Sequence, residues 1–206
     1  RDVIAIWPGF KGDAFGLAID IGSTTIAAHL VNLTSGDVVA TGGIMNPQIR
    51  FGEDLMSRVS YVMMHPDGAD ELTQSVREGI NVLIEDVASD AGITVEDIVE
   101  ITIAGNPIMH HLFLGISPVE LGTAPFALAT DEAINHWAPE LELRVNKGAR
   151  VYVLPCIAGH VGADAAAMIL AEEPYLLDEV SLVVDVGTNA EIVLGSKKQL
   201  LACSSP

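Results

Sequence analysis

Along the first fifty residues the apolar positions fall in three short bursts, residues 17–21, 26–33 and 38–44. Ser23-Thr24-Thr25 separates the first pair and Thr34-Ser35-Gly36-Asp37 the second. β-branched runs divided by such turn chemistry predict a three-stranded antiparallel meander. Asn46-Pro47-Gln48 breaks that pattern, and from Glu53 the period lengthens. Leu55, Val59, Val62 and Met63 predict a helix. Leu72, Val76, Ile80, Leu83, Ile84 and Val87 predict a longer one, with Asp70 as its cap and Gly92 as its stop. A buried strand follows over residues 99–104, then a short helix over 108–114 behind Asn106-Pro107. Residues 115–148 read as irregular, with a helix near 131–137. A strand over 151–154 and an Ala-rich helix over 162–172 lead to Pro174. Residues 182–186, 191–194 and 199–203 then open a second meander. The order βββαβαβα followed by βββ predicts an α/β fold with two copies of a mixed sheet, the second truncated. The expected division is a linker over 1–13, a first domain with its connecting helix over 14–175, and the start of a second domain over 176–206.

Composition sharpens this picture in two respects. The chain of 206 residues is 50% hydrophobic and only 5% aromatic, so its core is built from Val, Ile, Leu and Ala, and disorder is excluded. Twenty-eight acids against ten bases give a net charge of −18, which repels nucleic acid and anionic membrane surfaces. No nucleic-acid or membrane partner is therefore expected, and no apolar run reaches the ~18 residues of a spanning helix. Cys156 and Cys203 lie far apart without CxxC spacing, which argues against a disulfide framework or a zinc ribbon. The first residues carry neither an initiator Met nor a signal-peptide centre, so the chain reads as a piece of a longer cytoplasmic protein.

The chemistry lies in a repeat. Laid on each other at an offset of 165 residues, Leu-Ala-Ile-Asp20-Ile-Gly22-Ser23-Thr24-Thr25 matches Leu-Val-Val-Asp185-Val-Gly187-Thr188-Asn189-Ala190. Each copy is a buried strand ending in Asp, then Gly, then small hydroxyl or amide side chains. Gly allows the backbone to approach phosphate oxygens, and successive N–H groups in such a turn form an anion-binding nest. Ser23, Thr24, Thr25, Thr188 and Asn189 add donors, while Asp20 and Asp185 can hold Mg²⁺ through its water shell. One copy alone is equally ordinary hairpin chemistry; the duplication favours a nucleoside triphosphate. Neither a Walker-type nor a dinucleotide-type glycine motif is present. His110-His111, adjacent on a helix, point about 100° apart and cannot share one metal, so one should pack and the other be solvated. Cys156 and His160 make an improbable zinc pair, and Met63, Met64 and Met109 read as core filler.

The duplicated hairpin resembles the two phosphate loops of the actin, sugar-kinase and heat-shock-chaperone ATPase superfamily, whose halves are ribonuclease-H-like. More specifically, the chain is similar to the ATP-dependent reductive activators of corrinoid proteins. The matching stretches are Asp20 to Thr25, Asn46-Pro47-Gln48 with Gly52-Glu53-Asp54 and Ser57-Arg58, Gly105-Asn106 with Met109-His110-His111, Leu154-Pro155 with Ala158-Gly159 and Val161 to Asp164, and Asp185 to Ile192. That resemblance implies an ATP- and Mg²⁺-dependent domain and a corrinoid protein as partner; the negative charge disfavours close self-packing but leaves a homodimer possible. It also implies a 2Fe–2S cluster only in a ferredoxin-like region preceding Arg1, and a Gly-rich adenosine segment beyond Pro206. Under it Asp164 faces the cleft to orient a water, although a first-turn helix acid explains it equally. Glu53, with Asp54, is a second candidate for that polarising role, or simply begins a helix. Glu191 is a further acid near phosphate, more simply an exposed strand residue. The expected function is restoration of Co(II) corrinoid to Co(I) for methyl transfer. The alternatives are a small-acid or sugar kinase of the same superfamily and a non-catalytic actin-like scaffold.

Overall fold

A computed structural model describes residues 3–187 and 189–205. The opening meander is present as β1 (Phe15–Ile21), β2 (Thr25–Asn32) and β3 (Val38–Met45), paired antiparallel in that order. Period-two alternation sends Leu17, Ile19 and Ile21 of β1 into the core and leaves Ala18 and Asp20 on the opposite, open face. Two helices, α1 (Leu55–Met64) and α2 (Gly68–Asp90), then carry the chain to β4 (Ile98–Gly105), which lies parallel to β1. A parallel neighbour requires such a crossover. The α2 stripe Leu72, Val76, Ile80, Leu83, Ile84 and Val87 is fully buried with β1 and β2 side chains in one cluster. Each such side chain contributes roughly 1.5–3 kcal/mol by leaving water.

Beyond β4 come α3 (Pro107–Leu114), β5 (Ile134–Trp137) and β6 (Arg150–Val153). The six strands are ordered β3-β2-β1-β4-β6-β5, with β6 parallel to β4 and β5 antiparallel at the edge. Helix α4 (Ala163–Glu172) leads to a separate antiparallel sheet of β7 (Ser181–Val186), β8 (Ala190–Ser196) and β9 (Gln199–Ser205). On β7, Val183 and Asp185 share one face, while Leu182, Val184 and Val186 form an exposed apolar face.

Several expectations are corrected. The helix expected over 131–137 is absent; residues 134–137 form β5 instead. Its partners come from β6, where Ile134 meets Val153 and Trp137 meets Arg150, whose guanidinium carbon sits 3.4 Å from the indole centroid. A lone helix of seven residues would be marginal in water, so the tertiary pairing prevails. Helix α2 begins at Gly68 behind Asp67, and Asp70 lies in the first turn rather than at the cap. Met63 and Met64 are exposed, because α1 has a solvent side, whereas Met109 is fully buried. Neither histidine of α3 is solvated: both are buried. His111 Nδ1 lies 2.8 Å from the Pro107 carbonyl oxygen, and its Nε2 accepts the Ala129 N–H at 3.0 Å. Burial, with His111 alongside, pushes His110 down to about 4, so it is neutral at pH 7.

A candidate nucleotide site between two hairpins

The β1–β2 turn and the β7–β8 turn line one cavity of about 260 Å³. Asp20, Gly22, Ser23, Thr24 and Thr25 form one wall, and Asp185, Gly187, Asn189 and Glu191 another. Asp164 of α4 and Asn106, the N-cap of α3, complete it with Leu55. Thr188 lies outside the described residues. Of the acids singled out by sequence, Asp20, Asp164 and Asp185 come together here, and Glu53 does not line the cavity. Asp54 instead caps α1, accepting the Ser57 N–H at 2.7 Å, which holds its carboxyl below the ordinary range.

The two turns differ by one residue. In the first hairpin Asp20 stands opposite Ala27, whereas in the second Asp185 stands opposite Glu191. Directly opposed side chains share a face of the ladder, so the second hairpin brings two carboxylates together, an arrangement that is repulsive by itself. Glu191, expected as an exposed strand residue, is half-buried in the cavity wall. Burial, with Asp164 and Asp185 adding repulsion, raises its pKa. Burial and the charges of Asp164 and Asp185 push Asp20 up to about 6. Asp164 is raised chiefly by burial, then by Asp185, although the Ala165 N–H donates to its Oδ1 at 2.7 Å. Gly162 makes this approach close: a Cβ there would stand 2.7 Å from the Gly105 carbonyl and 2.8 Å from Asp164 Oδ1.

Four carboxylates thus converge where, among the described residues, no lysine or arginine lines the wall, an arrangement that calls for a cation. Among the described residues no three His, Cys, Asp or Glu stand close enough to chelate a metal outright. That donor set suits Mg²⁺, which keeps several waters and takes one or two carboxylates beside phosphate oxygens. The cysteines do not fit an iron–sulfur cluster, which needs four ligands. Cys156 is buried with its thiol pushed up to about 12, and Cys203 is exposed.

Two family models account for nearly the whole chain. Residues 15–175 match the RACo middle region, and residues 179–206 match the C-terminal domain of RACo, the ASKHA domain. The chain belongs to the RACo family. The chain is 34% identical over 182 residues to the corrinoid activation enzyme RamQ of Eubacterium limosum, covering 88% of this chain and 30% of that protein. It is 26% identical over 203 residues to a Co(II) methylated amine-specific corrinoid protein reductase of Methanosarcina barkeri, covering 93% of this chain and 36% of that one. A solved structure described as a reductive activator for corrinoid, iron-sulfur protein superposes with a TM-score of 0.92 at 39% identity, over 95% of this chain and 31% of that chain. The fold is therefore the actin-like ASKHA ATPase fold, and the chain spans about a third of the length of these relatives. Among the described residues no helix is long and apolar enough to cross a membrane.

Within the RACo middle region, the segment 46–58 has a place that residue-type reasoning missed. Asn46, Gln48 and Arg58 are all fully buried behind the first turn. Gln48 Nε2 donates to the Leu72 carbonyl at 2.9 Å and its Oε1 accepts from Arg58 at 3.2 Å, tying turn and helix α2 together. Nothing in the apolar period marks a buried arginine on α1; the only signal was the motif Asn46-Pro47-Gln48 with Ser57-Arg58 itself.

Proposed function

We propose that this chain forms the phosphate-binding cleft of an ATPase that drives reductive reactivation of a corrinoid protein, from Co(II) to Co(I), in the cytoplasm. The observation that carries this reading is the pair of Asp-x-Gly hairpins meeting across one carboxylate-lined cavity in a RACo-family chain. The turn backbones of Gly22 to Thr25 and of Gly187 to Asn189 would hold phosphate oxygens. Asp20 and Asp185 would accept hydrogen bonds from waters on Mg²⁺, which when bound supplies charge neutralisation and polarises phosphoryl oxygens. Asp164, made more basic by burial and by Asp185, would orient and deprotonate a water. Closure of the two sheets over nucleotide would alter the grip on the corrinoid partner, a gating role; a homodimer of the intact protein is compatible with this. An apolar compartment of about 470 Å³, lined by Met56, Pro107, Ile108 and Leu121, adjoins the cavity through Leu55, Asn106, Asn189 and Glu191. That compartment favours the second reading, a small-molecule kinase.

One assay separates them. With reductant and corrinoid protein present, the full-length protein should develop the Co(I) absorbance only when ATP is added. Asp20→Asn or Asp185→Asn should slow this and ATP hydrolysis by at least ~10²-fold. Wild-type rates in both variants, or Co(I) formation without ATP, contradict the proposal. A phosphorylated small product without Co(I) selects the kinase.

A further inference from the structure

The carbonyls of Gly22, Ser23 and Thr24 in the first turn are held from behind. Asn46 Nδ2 donates to the Gly22 carbonyl at 2.8 Å, and the Asn46 N–H donates to the Thr24 carbonyl at 2.8 Å. Between them the Ser23 carbonyl accepts from Arg58 Nη2. Arg58 is wholly inaccessible to solvent, and its other partners are the Gly52 carbonyl at 3.0 Å, Gln48 Oε1 at 3.2 Å and Met109 Sδ at 3.2 Å. A guanidinium surrounded by carbonyl oxygens, an amide and a sulfur has lost its hydration without gaining a bonded carboxylate. Burial accordingly lowers its pKa to about 10. A side chain needed only to fill space would be cheaper as a methionine or leucine.

The peptide geometry gives the charge a purpose. In a planar trans peptide, C=O and N–H point to opposite sides. Fixing the carbonyls of Gly22, Ser23 and Thr24 toward the buried side therefore turns the N–H groups of Ser23, Thr24 and Thr25 toward the cavity side. The Ser23 carbonyl belongs to the same peptide as the Thr24 N–H. A charge-assisted bond to that carbonyl polarises the peptide and makes Thr24 a stronger donor. We infer that Arg58, assisted by Asn46, is the positioning residue of the first phosphate turn. It aims and strengthens the turn's N–H groups for an anionic ligand from a place the ligand never touches. The inference rests on the nucleotide reading of that turn.

The test uses the full-length protein and two probes in the presence of Mg²⁺, ATP and adenosine, because only ATP carries the phosphates. Arg58→Met should weaken ATP binding by about a hundredfold and Arg58→Lys by about tenfold, the loss expected for a charge-assisted bond. Adenosine affinity should be unchanged in both. Asn46→Asp retains the backbone donor and the side-chain acceptor for the Gln48 N–H, losing the donor to Gly22. It should cost about tenfold for ATP alone, and it serves if the Arg58 variants do not fold. Wild-type ATP affinity in folded Arg58→Met or in Asn46→Asp would overturn the inference. So would equal losses for ATP and adenosine, which is what a merely structural role produces. If the wild-type protein binds ATP no better than adenosine, the nucleotide reading itself falls.

Discussion

The two Asp-x-Gly hairpins share a sequence and differ in nearly everything that supports it. In the first, Ile21 and Ile26 on either side of the turn are fully buried, and Asn46 and Arg58 grip the turn from behind. In the second, Val186 is 79% exposed, and the turn is closed by the Gly187 N–H donating to the Asn189 carbonyl at 2.9 Å. The first turn has four residues between Ile21 and Ile26, the second three between Val186 and Ala190. A motif therefore fixes what a turn can bind, while the elements packed behind it fix how rigidly the turn is held. On the nucleotide reading proposed above, the first hairpin is the preformed half of the site; the second places Asp185 opposite Glu191.

The two motif glycines sit in unequal surroundings. A Cβ on Gly22 would stand 2.6 Å from the Thr25 carbonyl oxygen, whereas one on Gly187 meets nothing nearer than the Asn189 carbonyl at 3.7 Å. Gly22→Ala should thus destabilise the folded protein by about 1–3 kcal/mol, the scale of an overpacked contact. Gly187→Ala should stay within about 0.5 kcal/mol. Thermal unfolding of both variants without nucleotide checks this, and equal destabilisation would remove the asymmetry.

The folded-state pKa of Asp20, about 6, lies above the ordinary 3.8, so the folded state binds the extra proton between those values. Stability from this group is present at acid pH and is lost as pH rises through about 6. In the nucleotide-free protein, Asp20→Asn should be more stable than wild type near neutral pH. The gain is on the order of 1 kcal/mol after discounting for its solvent access. It should vanish near pH 4, where the wild-type carboxyl is already protonated. An asparagine variant that is less stable at neutral pH would mean the cavity does not strain this carboxylate.

Much of this architecture was legible from sequence, for identifiable reasons. The meanders could be read because alternation and turn residues are local, and α2 because its apolar stripe is long. Strand β5 could not, since four residues at a sheet edge become a strand only through β6. The convergence of Asp20, Asp164 and Asp185 was foreshadowed by the repeat and the family motifs. The burial of Arg58 was not, because a charged residue on a short amphipathic helix ordinarily faces water. For His110 and His111 the expectation that one packs holds, and the expectation that the other is solvated fails, because both are buried. Glu191 entered the site through a one-residue difference in turn length, which aligned sequences do not display.

On the proposed reading the cleft holds phosphates by backbone and a divalent cation, with no lysine or arginine among the described residues lining it. Titrating ATP into the full-length protein near pH 7.5, with Mg²⁺ and then with excess EDTA, tests it. Arg58 is sealed behind the turn and the cavity wall is acidic, so removing the metal leaves phosphates facing Asp20, Asp164, Asp185 and Glu191. ATP affinity is expected to fall by at least ~10²-fold in EDTA. Equal affinity in the two conditions would mean that another cation holds the phosphates, and would contradict the account.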